Sequence, residues 1–137
     1  MDEFVNHANH NHIFYETICQ QFPDTYFDWK LTCLFYVSVH YLKALATLRK
    51  KKIGSHHVEI NRNIKRGSHN PTMPLSDTAY NNYMILFHYS QTARYDGMGN
   101  VDTFNKLREA DHRHAIKCFR DFRKYIITQG VKLEEAK

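Results

Sequence analysis

Glycine and proline are scarce in this sequence, with five Gly and three Pro in 137 residues. Because these two residues mark most turns, their scarcity indicates a few long elements and favours helices over a many-stranded β fold. Cysteine is also rare: Cys19, Cys33 and Cys118 are odd in number and form no C-x-x-C pair. That usage predicts free thiols in a reducing compartment, most simply the cytoplasm.

Long apolar runs are missing as well. The best candidate, Leu31–Leu48, is interrupted by His40 and Lys43, whereas a helix that spans a bilayer needs about 18 or more apolar residues in a row. The first residues, Met1-Asp2-Glu3, are acidic and lack the basic and apolar segments of a signal peptide. We therefore expect a cytoplasmic protein that does not enter a membrane.

The familiar cofactor and metal motifs are absent too. The sequence contains no Walker-type loop, G-x-G-x-x-G, G-x-S-x-G or H-E-x-x-H. His7, His10 and His12 lie near a terminus that we expect to be mobile. His112 and His114 are two residues apart on a predicted helix, so they point in different directions. We therefore expect neither a cofactor nor a metal site.

Apolar residues recur at three- and four-residue spacing in five segments, which is the pattern of packed helices. The expected spans are about Asn9–Gln21, Asp24 or Asp28 to about Lys51, about Ser55–Lys65, Ser76 to Asp96, and about Asp102 to Gly130. The second segment is apolar on nearly all sides, which predicts a central helix. Short connections make consecutive helices antiparallel. The predicted fold class is all-α: an up-and-down bundle of four to five helices forming one domain over residues 1–137, with about eight N-terminal and about seven C-terminal residues mobile.

Helix ends and faces can be predicted from the same pattern. Ser55 and Ser76 are expected to cap the starts of the third and fourth helices, and Gly130 to cap the end of the fifth. The buried stripe of the first helix is expected to contain four apolar residues: Ile13, Phe14, Ile18 and Phe22.

Positive charge is concentrated in one segment. The formal net charge is +5, and residues 49–66 hold seven cations against the single acid Glu59, which gives +7 − 1 = +6 and leaves −1 for the rest. Such a patch can attract phosphates. The candidate anion-binding residues are Lys50, Lys51, Lys52, His56, His57, Lys65, Arg66 and, outside the segment, Arg94. The alternatives are a solvated helix end for the lysines and a structural contact to terminal carbonyls or Asp96 for Arg94.

Several short motifs resemble those of the HEPN superfamily of helical bundles. They are Phe27-Asp28-Trp29-Lys30, Phe35-Tyr36, Ser55-His56-His57 and Ala93-Arg94-Tyr95. The resemblance implies a helical bundle, often a homodimer, in proteins linked to RNA, nucleotides, toxin–antitoxin pairs or phage defence. It also implies a nucleotidyltransferase-like partner protein, because many members of the superfamily pair with one.

Catalytic HEPN proteins carry an Arg, usually followed by a polar residue, and a His a few residues beyond. Arg62-Asn63 followed by His69 is similar to this pattern. The implied chemistry is metal-independent cleavage of RNA: His69 moves protons, Arg62 stabilises the phosphate, and Asn63 orients either. The first interpretation of the chain is nonetheless a binding module for RNA, a nucleotide or a partner protein. An endoribonuclease and a structural assembly subunit are the alternatives.

Overall fold

The computed structural model describes residues 2–93 and 109–133. These residues form five α-helices and no strand, which confirms the predicted all-α class. The helices are α1 (Asp2–Gln21), α2 (Phe27–Leu48), α3 (His57–Asn63), α4 (Asp77–Gln91) and α5 (Glu109–Thr128). Arg94 and the predicted start of the last helix near Asp102 lie outside the described residues.

Helix α2 is the centre of the bundle, as its apolar composition predicts. It packs against α1, α4 and α5, and most of its residues are buried. By length and composition it could cross a membrane, but most of its apolar stretch is buried inside the fold, as in the core helix of a bundle. Trp29 is an exception near its start, because its side chain is 56% exposed.

Ring contacts establish the directions of the helices. His7 of α1 stacks on His40 of α2 at 5.3 Å, and the Lys30 ammonium donates a hydrogen bond to the Phe22 carbonyl just beyond the other end of α1. Helices α1 and α2 are therefore antiparallel.

Helix α5 runs parallel to α2 and antiparallel to α4. His112 lies against Phe27 at the start of α2, and Phe119 stacks on Tyr41 further along it. On the other side, Tyr89 near the end of α4 meets His114 near the start of α5. With α1 and α4 opposed to α2 and α5, the arrangement is the expected up-and-down bundle.

The first helix differs from the prediction in its start and in its buried face. It begins at Asp2 rather than near Asn9. Val5, Ala8 and Tyr15 form its buried face, while Ile13 is 66% and Phe14 53% exposed. The predicted stripe is therefore wrong for Ile13, Phe14 and also Phe22, which is 43% exposed and follows the end of the helix. Both faces of α1 carry apolar residues at helical spacing, and only one of them packs on α2.

Two of the three predicted caps are present. The Ser76 hydroxyl accepts a hydrogen bond from the Ala79 N–H at 3.2 Å. Gly130 has φ +107°, in the left-handed region that favours glycine at the end of a helix. The prediction for Ser55 is wrong: α3 starts two residues later, with His56 at the cap position and no side-chain hydrogen bond to the helix.

Candidate anion-binding surface

The chain turns sharply where α2 ends, and this turn presents the three consecutive lysines. The N–H of Lys51 bonds to the Ala46 carbonyl at 2.8 Å and that of Lys50 to the Thr47 carbonyl at 3.1 Å. Lys50 adopts φ +55°, a conformation usually left to glycine at this position. Lys50, Lys51 and Lys52 are all exposed, so the turn projects three ammonium groups into solvent.

Asn63 holds the two halves of the basic segment together. Its side chain is buried; its amide nitrogen donates to the Ile53 carbonyl at 3.0 Å, and its amide oxygen accepts from the Thr72 hydroxyl at 2.9 Å. The chain segment after Lys52 is thereby linked to the end of α3. We call the exposed cations on either side of this link the basic surface: Lys50, Lys51, Lys52, Arg62, Lys65 and Arg66.

A groove of 470 Å³ adjoins the basic surface. Lys43, Lys51 and Lys52 line it together with Phe4 and Ile53. Its walls thus combine three cations with apolar side chains, a composition suited to a phosphate that carries a flat or apolar group.

Glu59 lies at the edge of this groove and is held by the backbone. Its carboxylate accepts a hydrogen bond from the Ser55 N–H at 3.1 Å. Gly54 makes room for it, because a Cβ at that position would lie 2.0 Å from the carboxylate oxygen. With Lys43, Lys51 and Lys52 counted against Glu59, the lining has a formal charge of +3 − 1 = +2.

The basic surface is not neutralised within the part of the chain that the structure describes. None of its six cations has a carboxylate within 4 Å there, where the ion pairs are His12–Glu16 and Arg113–Glu109. Arg49, by contrast, bonds through its guanidinium to the Gln129 side chain. Arg49 is therefore a link between the ends of α2 and α5.

The predicted histidine ligands fall in different environments. His56 is exposed beside the basic surface. His57 packs between Phe35 and Phe87, with ring centroids 5.4 and 5.6 Å away. His57 therefore contributes to the core packing of α2 and α4, and only His56 is exposed with the cations.

The structure does not assemble Arg62, Asn63 and His69 into a common constellation. Arg62 reaches His69 through a hydrogen bond of 3.4 Å to its backbone carbonyl, while the His69 imidazole bonds to the Asn70 amide at 3.2 Å. Both side chains are exposed, whereas Asn63 is buried and its amide is engaged with Ile53 and Thr72.

Two further histidines, the buried His112 and the half-buried His40, pack between helices. The Tyr15 hydroxyl lies 2.6 Å from Nε2 of His112, and burial together with the nearby Lys30 ammonium lowers the pKa of His112 to about 4. Burial, with the charges of Lys43 and His7, lowers the pKa of His40 to about 4. Both rings are therefore neutral near pH 7 and serve as packing groups. The burial of His112 was not predicted from the sequence.

A second row of cations runs along α5. None of its residues is among the candidates predicted from the sequence. Arg113, Lys117, Arg120 and Lys124 are all exposed and succeed one another at intervals of four, three and four residues. That spacing places them on one helix face, which we call the α5 stripe. Counting net charge by segment conceals the stripe, because the acids of α5 offset part of its charge; counting by helical face would have found it.

Within the described ranges, no three His, Cys, Asp or Glu side chains come together as a metal site requires. The three cysteines are free, as predicted. No protein-family model, curated protein or solved structure matches this chain. The likeness to HEPN proteins therefore depends on the short motifs quoted above.

Proposed function

We propose that this chain is a HEPN-like helical module that binds RNA through the basic surface. The observation that carries the proposal is the buried Asn63 amide, which bonds to the Ile53 carbonyl and so keeps the lysine turn beside the end of α3. Six exposed cations from two separate chain segments thus share one region instead of projecting independently. Phosphate groups supply the charge that such a region attracts, and RNA presents them in a row.

The extent of the surface favours RNA over a free nucleotide. The groove beside Lys51 and Lys52 can hold one phosphate group, but Arg62, Lys65 and Arg66 do not line it. A polymer with further phosphates would engage both sets. Phe4 in the groove wall offers a ring on which a base could stack, a contact that tolerates any sequence.

The resemblance to HEPN proteins adds an oligomeric state, a cellular setting and a partner to this proposal. It suggests a homodimer in a toxin–antitoxin or phage-defence setting, with a nucleotidyltransferase-like partner protein. If the chain were a structural assembly subunit instead, the same surface would bind an acidic protein and show no affinity for RNA.

Replacing Lys51, Arg62 and Arg66 by Ala is expected to weaken RNA binding about tenfold or more. Three lost phosphate contacts at about 0.7 each should also reduce the slope of log K against log salt by about 2. The measurement is fluorescence anisotropy with a labelled single-stranded RNA of roughly 20 nucleotides, longer than one typical binding site. Salt is varied from about 50 to about 200 mM.

The matched control removes the same amount of charge elsewhere. His10→Glu, Thr17→Glu and Gln20→Glu on the exposed side of α1 lower the formal net charge by three, from +5 to +2, as the triple Ala variant does. The control should bind within about twofold of the unmodified chain, since local phosphate contacts dominate the affinity. Equal losses in both variants, or binding that does not depend on salt, would contradict the proposal.

A metal-independent endoribonuclease is the second candidate, and the hydrogen bond from Arg62 to the His69 carbonyl is the observation that favours it. Its chemistry needs the His69 imidazole to exchange protons with the ribose hydroxyl or the leaving oxygen. If the chain is this enzyme, it should cleave RNA in EDTA, and His69→Ala should reduce the rate at least a hundredfold. The exposed His56→Ala variant is the control. Equal cleavage by the unmodified chain and the His69→Ala variant would exclude this site.

A further inference from the structure

The α5 stripe is a second cationic face of the bundle, and none of its residues belongs to the basic surface. Including the half-buried Arg123, α5 directs five cations to a shallow groove of 290 Å³, with Asp121 as the acid in its lining. The carboxylate of Glu109 pairs with Arg113 at 3.1 Å. The formal balance is +5 − 2 = +3, and Lys117, Arg120 and Lys124 have no carboxylate within 4 Å among the described residues.

This face and the groove beside the basic surface lie on different sides of α2. Lys43 of α2 lines the groove beside the basic surface, whereas Tyr41, two residues earlier, stacks on Phe119 of α5. Two residues correspond to a rotation of roughly 200° on a helix, so these side chains leave α2 in nearly opposite directions. A ligand in that groove therefore leaves the α5 stripe accessible.

The geometry of the stripe suits a phosphate backbone. From Arg113 to Lys124 the helix rises by about 16 Å, so the four cations of the stripe are spread over a length that reaches more than one phosphate of a nucleic-acid strand. Arg113 and Arg120 add planar guanidinium groups that can hold a phosphate by two parallel hydrogen bonds.

Other acidic partners fit this face less well. A helix that lies on a membrane keeps an apolar face free for insertion, but the apolar face of α5, which includes Ala115, Phe119 and Phe122, is buried in the core. A protein partner would need an exposed aromatic or aliphatic anchor at the centre of the contact. The four side chains of the stripe are all charged, and Ile116, the apolar residue in the groove lining, is only partly exposed.

We infer that the α5 stripe is a second RNA-binding face, which makes the chain able to hold two segments of RNA on opposite sides at once. The inference rests on the proposed function for its ligand class, and on the α5 side chains for its position. A chain with two such faces would bridge two RNA molecules or two parts of one folded RNA.

The test titrates the full, isotope-labelled chain with hexauridylate at about 50 mM salt and follows the backbone amide signals by NMR. Signals from Arg113 to Lys124 should shift as a set separate from those of the basic surface. Lys117→Gln, Arg120→Gln and Lys124→Gln should weaken binding at α5 at least tenfold and leave binding at the basic surface within twofold.

Two matched variants complete the test. Lys117→Arg, Arg120→Lys and Lys124→Arg preserve the charge and should keep the α5 shifts. The triple Ala variant of the basic surface, which loses the same three charges, should show the reverse pattern. Circular dichroism and urea unfolding of each variant establish that the bundle is intact; Gln is chosen because it favours helix.

The outcomes separate the inference from the proposed function. Shifts at the basic surface alone, or α5 shifts that survive the triple Gln change, would overturn the inference and keep the proposed function. Shifts at α5 alone would overturn the proposed function and the binding of two segments at once, and would keep α5 as an RNA-binding face. No shift at either face would overturn both. If hexaglutamate shifts α5 as strongly as hexauridylate, the face binds an acidic protein. If only vesicles with anionic lipid shift it, the ligand is a membrane surface, and the inference fails in either case.

Discussion

Lowering the pH from about 7.5 to about 4.5 is expected to destabilise the bundle by on the order of 4 kcal/mol, about 2 for each of His40 and His112. In the unfolded chain each imidazole binds a proton below its ordinary pKa of 6.5, whereas in the folded chain each has its pKa lowered to about 4. Between these values the unfolded state holds more protons, so the free energy of unfolding falls as the pH falls. A loss of this size is a large part of the 5–15 kcal/mol typical of a domain.

The surroundings of each imidazole explain why its pKa is lowered. His112 is packed against Tyr15 and Phe27, with the Lys30 ammonium close enough to oppose a second positive charge. Burial raises the pKa of the Tyr15 hydroxyl, which stays protonated and hydrogen-bonds with the neutral ring. A further proton on His112 would be buried beside that hydroxyl and the Lys30 ammonium.

His40 has a comparable setting on the other side of α2. It stacks with Phe4 and His7, and Lys43 lies one turn away on the same helix. Within the described residues, its buried Nδ1 has no hydrogen-bond partner. An added proton there would be desolvated without compensation.

Urea unfolding at several pH values between about 7.5 and about 4.5 measures the effect. His112→Gln and His40→Met should each remove about half of the pH dependence, and the double variant most of it. The exposed His56→Gln is the matched control and should leave it unchanged. An unchanged pH dependence in the double variant would show that other groups are responsible.

Removing the Lys30 side chain is expected to cost about 3 kcal/mol of stability in Lys30→Ala, and about half as much in Lys30→Met. Lys30 is 1% exposed, and its ammonium donates to the carbonyls of Phe22 at 2.5 Å and Pro23 at 3.3 Å. It also lies 4.5 Å from the centroid of the Phe27 ring. The cation satisfies the exposed carbonyl end of α1 and ties it to the start of α2.

The Met variant keeps the packing of the aliphatic stem and loses only the charged contacts, which is why the smaller effect is expected. Lys132→Met, at an exposed lysine, is the control and should change the free energy of unfolding by less than about 0.5 kcal/mol. Urea unfolding near pH 7.5 provides the comparison. If Lys30→Ala and Lys132→Met proved equally mild, the buried ammonium would have no role in joining the helices.

The number and order of the helices could be predicted from the sequence because these features are local. Scarce turn residues limit the breaks, and periodic apolar residues identify each segment. The cap at Ser76 and the glycine at Gly130 depend on residues next to the helix ends, so both predictions are confirmed.

The sequence was ambiguous where one helix carries apolar residues on two faces. In α1, Val5, Ala8 and Tyr15 compete with Ile13 and Phe14, and periodicity alone cannot choose between them. The choice depends on which set fits α2 and α5. Tyr15 is selected by its contact with His112, a residue 97 positions away in the chain.

The candidate site, too, could be predicted from the sequence only in part. The basic run that contains Lys50, Lys51 and Lys52 is visible in the sequence because its charges are adjacent. Whether Asn63 orients a catalytic histidine or fastens two loops depends on a buried amide that meets Ile53 and Thr72, and only the tertiary structure decided it.

What the sequence by itself determined is therefore the helical class, the order of its segments and the presence of a concentrated positive charge, since each follows from neighbouring residues. The tertiary structure decided which faces are buried, which histidines are kept neutral and which cations share a surface. The physical reason is that burial and charge proximity are properties of pairs of residues distant in sequence, and packing brings those pairs together.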